Sequence, residues 1–313
     1  MSRSRWLASA ALSLAVITCC AAAPASAQAP RSFRVHVSGT GSPIIFIPGL
    51  ASSGATWDTT VERYRRRFTC HVLTLAGFAG VPAIDAPLIA TAENELVGYI
   101  REQGLSRPVL VGHSLGGMLA LAVAARHPDL VGGLVIVDVM PFPAGSRFQA
   151  DSVASAEPAI AAGRRKMLNM TAAEYDDYAR SGSATKYMVT SSQDLATITR
   201  WGRASDQRTV ADALAEFYRM DLRNDLARVD APALVLGTWA GIHDEVATYG
   251  VELTRVVFER AFAQQYAQLR RMHFALSDTA RHFVMFDDPA WFFAQLDPFL
   301  ADPISLTRER DHE

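Results

Sequence analysis

Val109-Leu110-Val111-Gly112-His113-Ser114-Leu115-Gly116-Gly117-Met118-Leu119-Ala120-Leu121-Ala122-Val123 is the stretch on which the reading of this chain turns. A short apolar run reads as a buried strand. It breaks at a turn of small residues and continues as an Ala- and Leu-rich helix ending near His127. Within it, Gly112-His113-Ser114-Leu115-Gly116 has the form G-x-S-x-G, and that form carries meaning when a strand precedes it and a helix follows. Side chains at positions 112 and 116 would collide with backbone in so tight a turn, and glycine removes the collision. Gly117 adds packing room. Such a turn lifts the Ser114 hydroxyl to the helix N-terminus, where free N–H groups and the helix dipole favour developing negative charge.

Working outward, the same alternation of apolar runs and helical stretches holds on both sides. Phe33–Val37, Ile44–Ile47, Val72–Leu75 and Leu134–Val137 read as strands, with a helix over Ala92–Gln103. Uninterrupted apolar strands between helices imply a mostly parallel sheet with helices on both faces, an α/β fold. From about 141 to 230 the strand rhythm stops. Helices are expected at Ala159–Leu168, Ala172–Arg180 and Val210–Met220. Strands return at Ala233–Leu236 and Phe274–Leu276, around a long helix over Val251–Leu269, before a last helix over Pro289–Leu300. A helical segment is thus inserted between two strands of one sheet.

The chain has 313 residues, half of them apolar, and a formal net charge of −2 with acids and bases interspersed. That excludes a nucleic-acid surface or a polybasic membrane patch as the organising feature. Residues 1–27 read separately. Arg3 and Arg5 precede the uncharged run Trp6–Ala23, then Pro24 and Ala25-Ser26-Ala27. This order is that of a bacterial Sec-type signal peptide cut after Ala27, leaving 28–313 as an exported, periplasmic or secreted domain with no stable membrane anchor. Cleavage removes Cys19 and Cys20, so Cys70 has no partner for an internal disulfide and is expected to be a buried core thiol.

With the elbow, the inserted helices and the strand order in place, the chain resembles the α/β-hydrolase superfamily over nearly all of residues 28–313. In that family an oxyanion loop, nucleophile, cap and histidine follow one another in the chain. The resemblance implies Ser114 as nucleophile. It also implies His282, in the loop just after the last strand, as general base. His113 adjoins the nucleophile and is expected to pack or hydrogen-bond structurally. Two acids are open. The commoner family position falls at Ala240, which departs from the pattern, though Asp244 follows shortly in His243-Asp244-Glu245. The second family position is the end of the strand before the cap, occupied by Asp138. The oxyanion donors implied are the backbone N–H groups of Leu115 and of Leu50, in Pro48-Gly49-Leu50-Ala51-Ser52-Ser53-Gly54. Pro48 stands where many members carry His. Trp57 is read as packing support beneath that loop.

No cofactor or metal pattern is present: there is no His-Glu-x-x-His and no paired Cys motif. The function implied is a serine esterase acting through an acyl-enzyme on a small-molecule ester. Met167, Met170, Tyr175, Tyr178, Trp201, Phe217 and Tyr218 in the cap favour a substrate with an apolar part, although many of them are expected to pack the cap onto the core. A lactonase, a thioesterase or a cofactor-free haloperoxidase would use the same residues. An Asp-nucleophile epoxide hydrolase or dehalogenase is disfavoured by Ser114. A non-catalytic binding protein on the same fold is the reading of a different class.

Overall fold

The computed structural model describes residues 32–181, 187–248, 250 and 252–302. The expected signal peptide and the charged tail lie outside the described residues. Strand β1 (Phe33–Gly39) leads to β2 (Ser42–Ile47), α1 (Asp58–Tyr64), β3 (Phe68–Leu75), α2 (Leu88–Glu102), β4 (Val109–His113), α3 (Leu115–Arg126) and β5 (Gly133–Val137). Five helices follow: α4 (Pro143–Phe148), α5 (Val153–Leu168), α6 (Ala172–Ser181), α7 (Ser192–Arg203) and α8 (Gln207–Arg219). The sheet resumes with β6 (Ala233–Thr238), α9 (Ala240–Ala247), α10 (Arg255–Gln265), β7 (Met272–Ser277), α11 (Val284–Asp287) and α12 (Pro289–Ala301).

The seven strands lie in the order β1-β3-β2-β4-β5-β6-β7. All neighbouring pairs are parallel except β1 with β3, which is antiparallel. The period-2 alternation of strand side chains divides the core in two. Ile45, Ile47, Leu73, Leu110, Leu134, Ile136 and Val235 enter one apolar cluster with residues of α2 and α3. Ile44, Phe46, Val111, Val135, Val137, Leu234 and Leu236 enter the other with residues of α11 and α12. Both faces are therefore covered, which is why these strands read as continuous apolar runs rather than as alternating ones.

Every residue from Leu115 to Ala125 of α3 is buried. A helix buried all round has no polar face to place in water; this one lies against one face of the sheet, along β4 and β5, with Ser114 at its N-terminus. Cys70 is buried and unbridged, and burial pushes its thiol up to about 11. Trp57 is fully buried, its ring 5.5 Å from Phe46 and 6.4 Å from Phe292.

The helical stretch expected over Val251–Leu269 is shorter, with α10 ending at Gln265 after a separate helix, α9. Thr254 ends the connection between them by capping α10 through its side chain, which accepts from Val257 N. Helix α7 was not anticipated, yet its start carries a Ser191 cap on Asp194 N and its Ile198 and Trp201 are buried one turn apart.

Candidate active site

The C-terminal ends of β4, β5, β6 and β7 converge on one edge of the sheet. At the end of β4 the ladder continues through Ser114, whose N–H donates to Val137 O at 2.9 Å. The chain then turns with Ser114 at φ 52°, ψ −120°. This is a sparsely populated conformation for a residue with a side chain, of a kind that concentrates at functional sites. Its neighbours make it possible. A Cβ on Gly112 would lie 2.6 Å from Gly117 Cα. One on Gly116 would lie 2.5 Å from Pro48 O and closer still to Ile47 O. One on Gly117 would meet Val139 Cγ1 at 2.8 Å. The missing side chains let the turn, the end of β2 and the segment after β5 close on one another.

Ser114 is half-buried at the N-cap of α3, its carbonyl accepting from Gly117 N at 2.8 Å and Met118 N at 3.1 Å. Leu115 is the first residue of that helix, so its N–H belongs to the set a helix start leaves without an intrahelical partner. The loop after β2 passes close by: a Cβ on Gly49 would sit 3.2 Å from Ser114 Cβ and 3.0 Å from His113 Nδ1. Leu50 follows in the same turn, which is tied by Ser52 N to Gly49 O at 3.3 Å and Ser52 Oγ to Leu50 O at 3.1 Å. The structure thus brings the Gly49–Leu50 loop against the turn that carries Ser114 and Leu115.

Asp138 and His282 meet directly, with His282 Nδ1 2.6 Å from Asp138 Oδ2. The short separation fits a charge-assisted bond. Asp138 is the residue just past β5, in the left-handed region at φ 51°, with its N–H on Leu236 O at 2.7 Å. Its second carboxylate oxygen accepts from Thr238 N at 2.8 Å, so the group is held at both oxygens. The following residue is also braced, since the buried Tyr266 hydroxyl donates to Val139 O at 2.6 Å. Burial pushes that phenol well above its ordinary value, so it stays a donor.

Asp244 is not brought to His282. After β6 the chain enters α9 almost at once, leaving no loop that could shift an acid toward the imidazole. Gly241 allows this close packing; a Cβ there would lie 2.7 Å from Tyr187 O and 3.3 Å from Arg281 Cβ. Asp244 instead accepts from Arg281 Nη2 at 2.9 Å.

That ion pair belongs to a clasp around the loop that carries His282. Arg281 Nη1 donates to Val189 O at 2.9 Å, and Phe283 N to Met188 O at 3.1 Å. Asp287 receives Arg281 N at 2.9 Å on one oxygen, and Thr190 N and Oγ1 at 2.8 Å each on the other. The backbone on both sides of His282 is thereby tied to residues 188–190 of the inserted helical segment. Neither Arg281 nor Asp287 stood out in the sequence. Asp287 precedes Asp288-Pro289, and only Asp288 gives a helix-start signal, which it fulfils by accepting from Trp291 N at 3.0 Å. Of the apolar cap residues, Met167 and Tyr175 are buried in one core cluster and Trp201 in the other, 6.3 Å from Phe286. Tyr178 is 40% exposed.

An imidazole held at Nδ1 by a fixed carboxylate has a defined tautomer and a free Nε2, the arrangement a proton-accepting histidine needs. With this geometry in hand, the comparisons with known proteins agree on a class. The sequence profile of the alpha/beta hydrolase family matches residues 44–295, and the chain belongs to that family. It is 26% identical to an N-formylmaleamate deformylase of Pseudomonas putida over 282 residues, covering 89% of this chain and 96% of that protein. Over 106 residues it is 33% identical to a pimeloyl-(acyl-carrier protein) methyl ester esterase of Vibrio atlanticus, a match covering 34% of this chain and 40% of that one. In fold it resembles the solved structure of a thermophilic esterase from Thermogutta terrifontis, with a TM-score of 0.69 at 20% identity, covering 87% of this chain and 94% of that one. The relatives matched in sequence are hydrolases, and the chain is an enzyme of the α/β-hydrolase class.

Proposed function

We propose that this hydrolase cleaves carboxylic esters through Ser114, His282 and Asp138. In this reading Ser114 Oγ attacks the acyl carbonyl while His282 Nε2 takes its proton. The tetrahedral oxygen is received by the N–H groups of Leu115 and Leu50. The imidazolium, held at Nδ1 by Asp138, protonates the leaving alkoxide, and water repeats the sequence on the acyl-enzyme. The observation that carries the reading is the 2.6 Å approach of Asp138 Oδ2 to His282 Nδ1, with the carboxylate held at its other oxygen by Thr238 N.

The substrate is a small molecule with an apolar portion, met by cap residues the core does not absorb, Tyr178 among them. The chain reaches it outside the cytoplasm, after removal of residues 1–27. Export is supported by Arg3 and Arg5, the apolar run and Ala25-Ser26-Ala27. A second reading, hydrolysis of an N-acyl C–N bond by the same groups, is favoured by the deformylase that matches nearly end to end.

Labelling by a fluorophosphonate probe, mapped by mass spectrometry, tests the nucleophile. Modification at Ser114 is expected, and a folded protein that fails to react there would reject the reading. A panel of esters of graded acyl length, with lactones, thioesters and N-formyl amides, then separates the substrate classes.

A further inference from the structure

His113, the residue before the proposed nucleophile, carries a role the acyl-transfer chemistry does not itself require. Its side chain is fully buried. Its Nε2 lies 3.0 Å from the backbone carbonyl oxygen of His282. A carbonyl can only accept, so Nε2 carries the proton and the ring is the Nε2–H tautomer. Nδ1 is then a bare acceptor; it makes no hydrogen bond and faces Gly49 in the loop after β2. The ring also packs against His282 and Phe283, with centroids 4.4 and 4.5 Å apart. One side chain thus touches the nucleophile's own turn, the loop proposed to hold the second oxyanion donor, and the backbone of the proposed base.

We infer that His113 is a positioning residue, whose Nε2–H bond to the His282 carbonyl sets the imidazole against Asp138. The inference rests on the functional reading above. Strand β4 fixes His113 rigidly, since its backbone pairs with Val137 of β5. By contrast, His282 lies in a loop, and its flanking amides at Arg281 and Phe283 are tied to Asp287 and Met188. The His113 bond ties the His282 carbonyl to β4, and so to the frame that holds Ser114 and Asp138. Charge matters as well. Burial, then the neighbouring His282, hold His113 well below the ordinary histidine value, so it stays neutral. A neutral donor sets the loop without placing a second cation beside an imidazolium. The charged groups around His282 are then Asp138 just past β5, Arg281 and Asp287 from its own loop and α11, and Asp244 from α9 behind Arg281.

Asn and Gln separate this role from simple filling of space. Both are smaller than the ring and polar, but a Gln side-chain nitrogen reaches about where Nε2 lies, whereas an Asn nitrogen stops near Nδ1. His113→Asn should lower kcat by roughly 10- to 100-fold with little change in KM, the scale on which small misplacements of reacting groups act. His113→Gln should restore most of the loss while KM stays near the parental value in both variants. Equal losses of kcat in the two variants, or a loss of thermal stability with kcat unmoved, would reduce His113 to core filling.

Histidine-selective 15N NMR of the unaltered protein gives an answer that needs neither substrate nor variant. His113 should show a protonated Nε2 and a bare Nδ1 that do not titrate from pH 8 to 5. A His113 signal titrating near 6.5, or protonated at Nδ1, would overturn the inference even if Ser114 labels as expected. Conversely, the expected tautomer together with an unreactive Ser114 would place the failure in the functional reading.

Discussion

Gly116→Ala tests the joint between the elbow and the loop after β2. The added Cβ would lie 2.5 Å from Pro48 O and nearer still to Ile47 O, both backbone atoms. An ordinary carbon–oxygen contact needs at least about 3.2 Å, so one partner must retreat by close to 1 Å. The end of β2 cannot do so cheaply, because Ile47 is paired with Gly112 of β4 at the centre of the sheet. Overpacking of this kind costs about 3 kcal/mol, which for a domain of this size lowers Tm by roughly 6–12 °C. The same retreat moves the Gly49–Leu50 loop relative to Ser114, and a displacement of about 1 Å is worth about 100-fold in rate. Differential scanning calorimetry and the second-order rate of fluorophosphonate labelling read the two effects separately. Gly163→Ala is the control: it lies within α5, and a Cβ there would meet nothing within 4 Å. It should raise stability by up to about 1 kcal/mol through helix propensity and leave labelling untouched. If Gly116→Ala melted within about 2 °C of the parent and labelled at its rate, the argument from close approach would be wrong.

Asp138→Asn should keep Thr238 N satisfied through its amide oxygen while turning an NH2 toward His282 Nδ1. The imidazole then takes the wrong tautomer, and kcat should fall by about 10³- to 10⁴-fold at near-parental Tm; a loss under tenfold would remove Asp138 from the mechanism. Asp244→Asn should lower kcat by only a few-fold, since Asp244 acts on Arg281; the reverse ranking of the two variants in the same ester assay would exchange their roles. His113 and His71 are both held below the ordinary histidine value by burial. The unfolded chain therefore binds more protons than the folded one below about pH 6.5, so their contribution is intact above that pH and declines beneath it. Tm should fall between pH 7 and 5, and fall less steeply in His113→Gln; parallel curves would refute the assignment. Protein recovered from the periplasm or medium should begin at Gln28 by intact mass, whereas membrane-bound protein retaining Met1 would reject cleavage.

The turn at Ser114 was legible because its constraint is local: two glycines, a serine, a strand before and a helix after leave little freedom. Asp138 and His282 could be put forward because the resemblance to the α/β-hydrolase family points to the end of the strand before the cap and to the loop after the last strand. What separates Asp138 from Asp244 is the onset of α9 directly after β6. Trp239-Ala240-Gly241-Ile242 carries no Ser, Thr, Asp or Asn cap, and Trp239 makes no side-chain cap bond. The antiparallel placement of β1 was equally hidden, since an edge strand's direction depends on its partner and not on its own residues. The Arg281–Asp287 clasp was out of reach for a different reason. Arg281 and Asp287 reach mostly backbone groups, the Val189 carbonyl and the Thr190 amide nearly a hundred positions away among them, and backbone groups leave no mark in a sequence.

That clasp has a consequence for how large a guest the enzyme can admit. Residues 188–190 of the inserted segment hang from the same short loop that carries the proposed base. Segment and proposed proton acceptor are one mechanical piece. A molecule that displaced this seam on binding would pull on the imidazole and loosen it from its carboxylate. Re-engineering for bulkier substrates should leave the seam from Met188 to Thr190 closed.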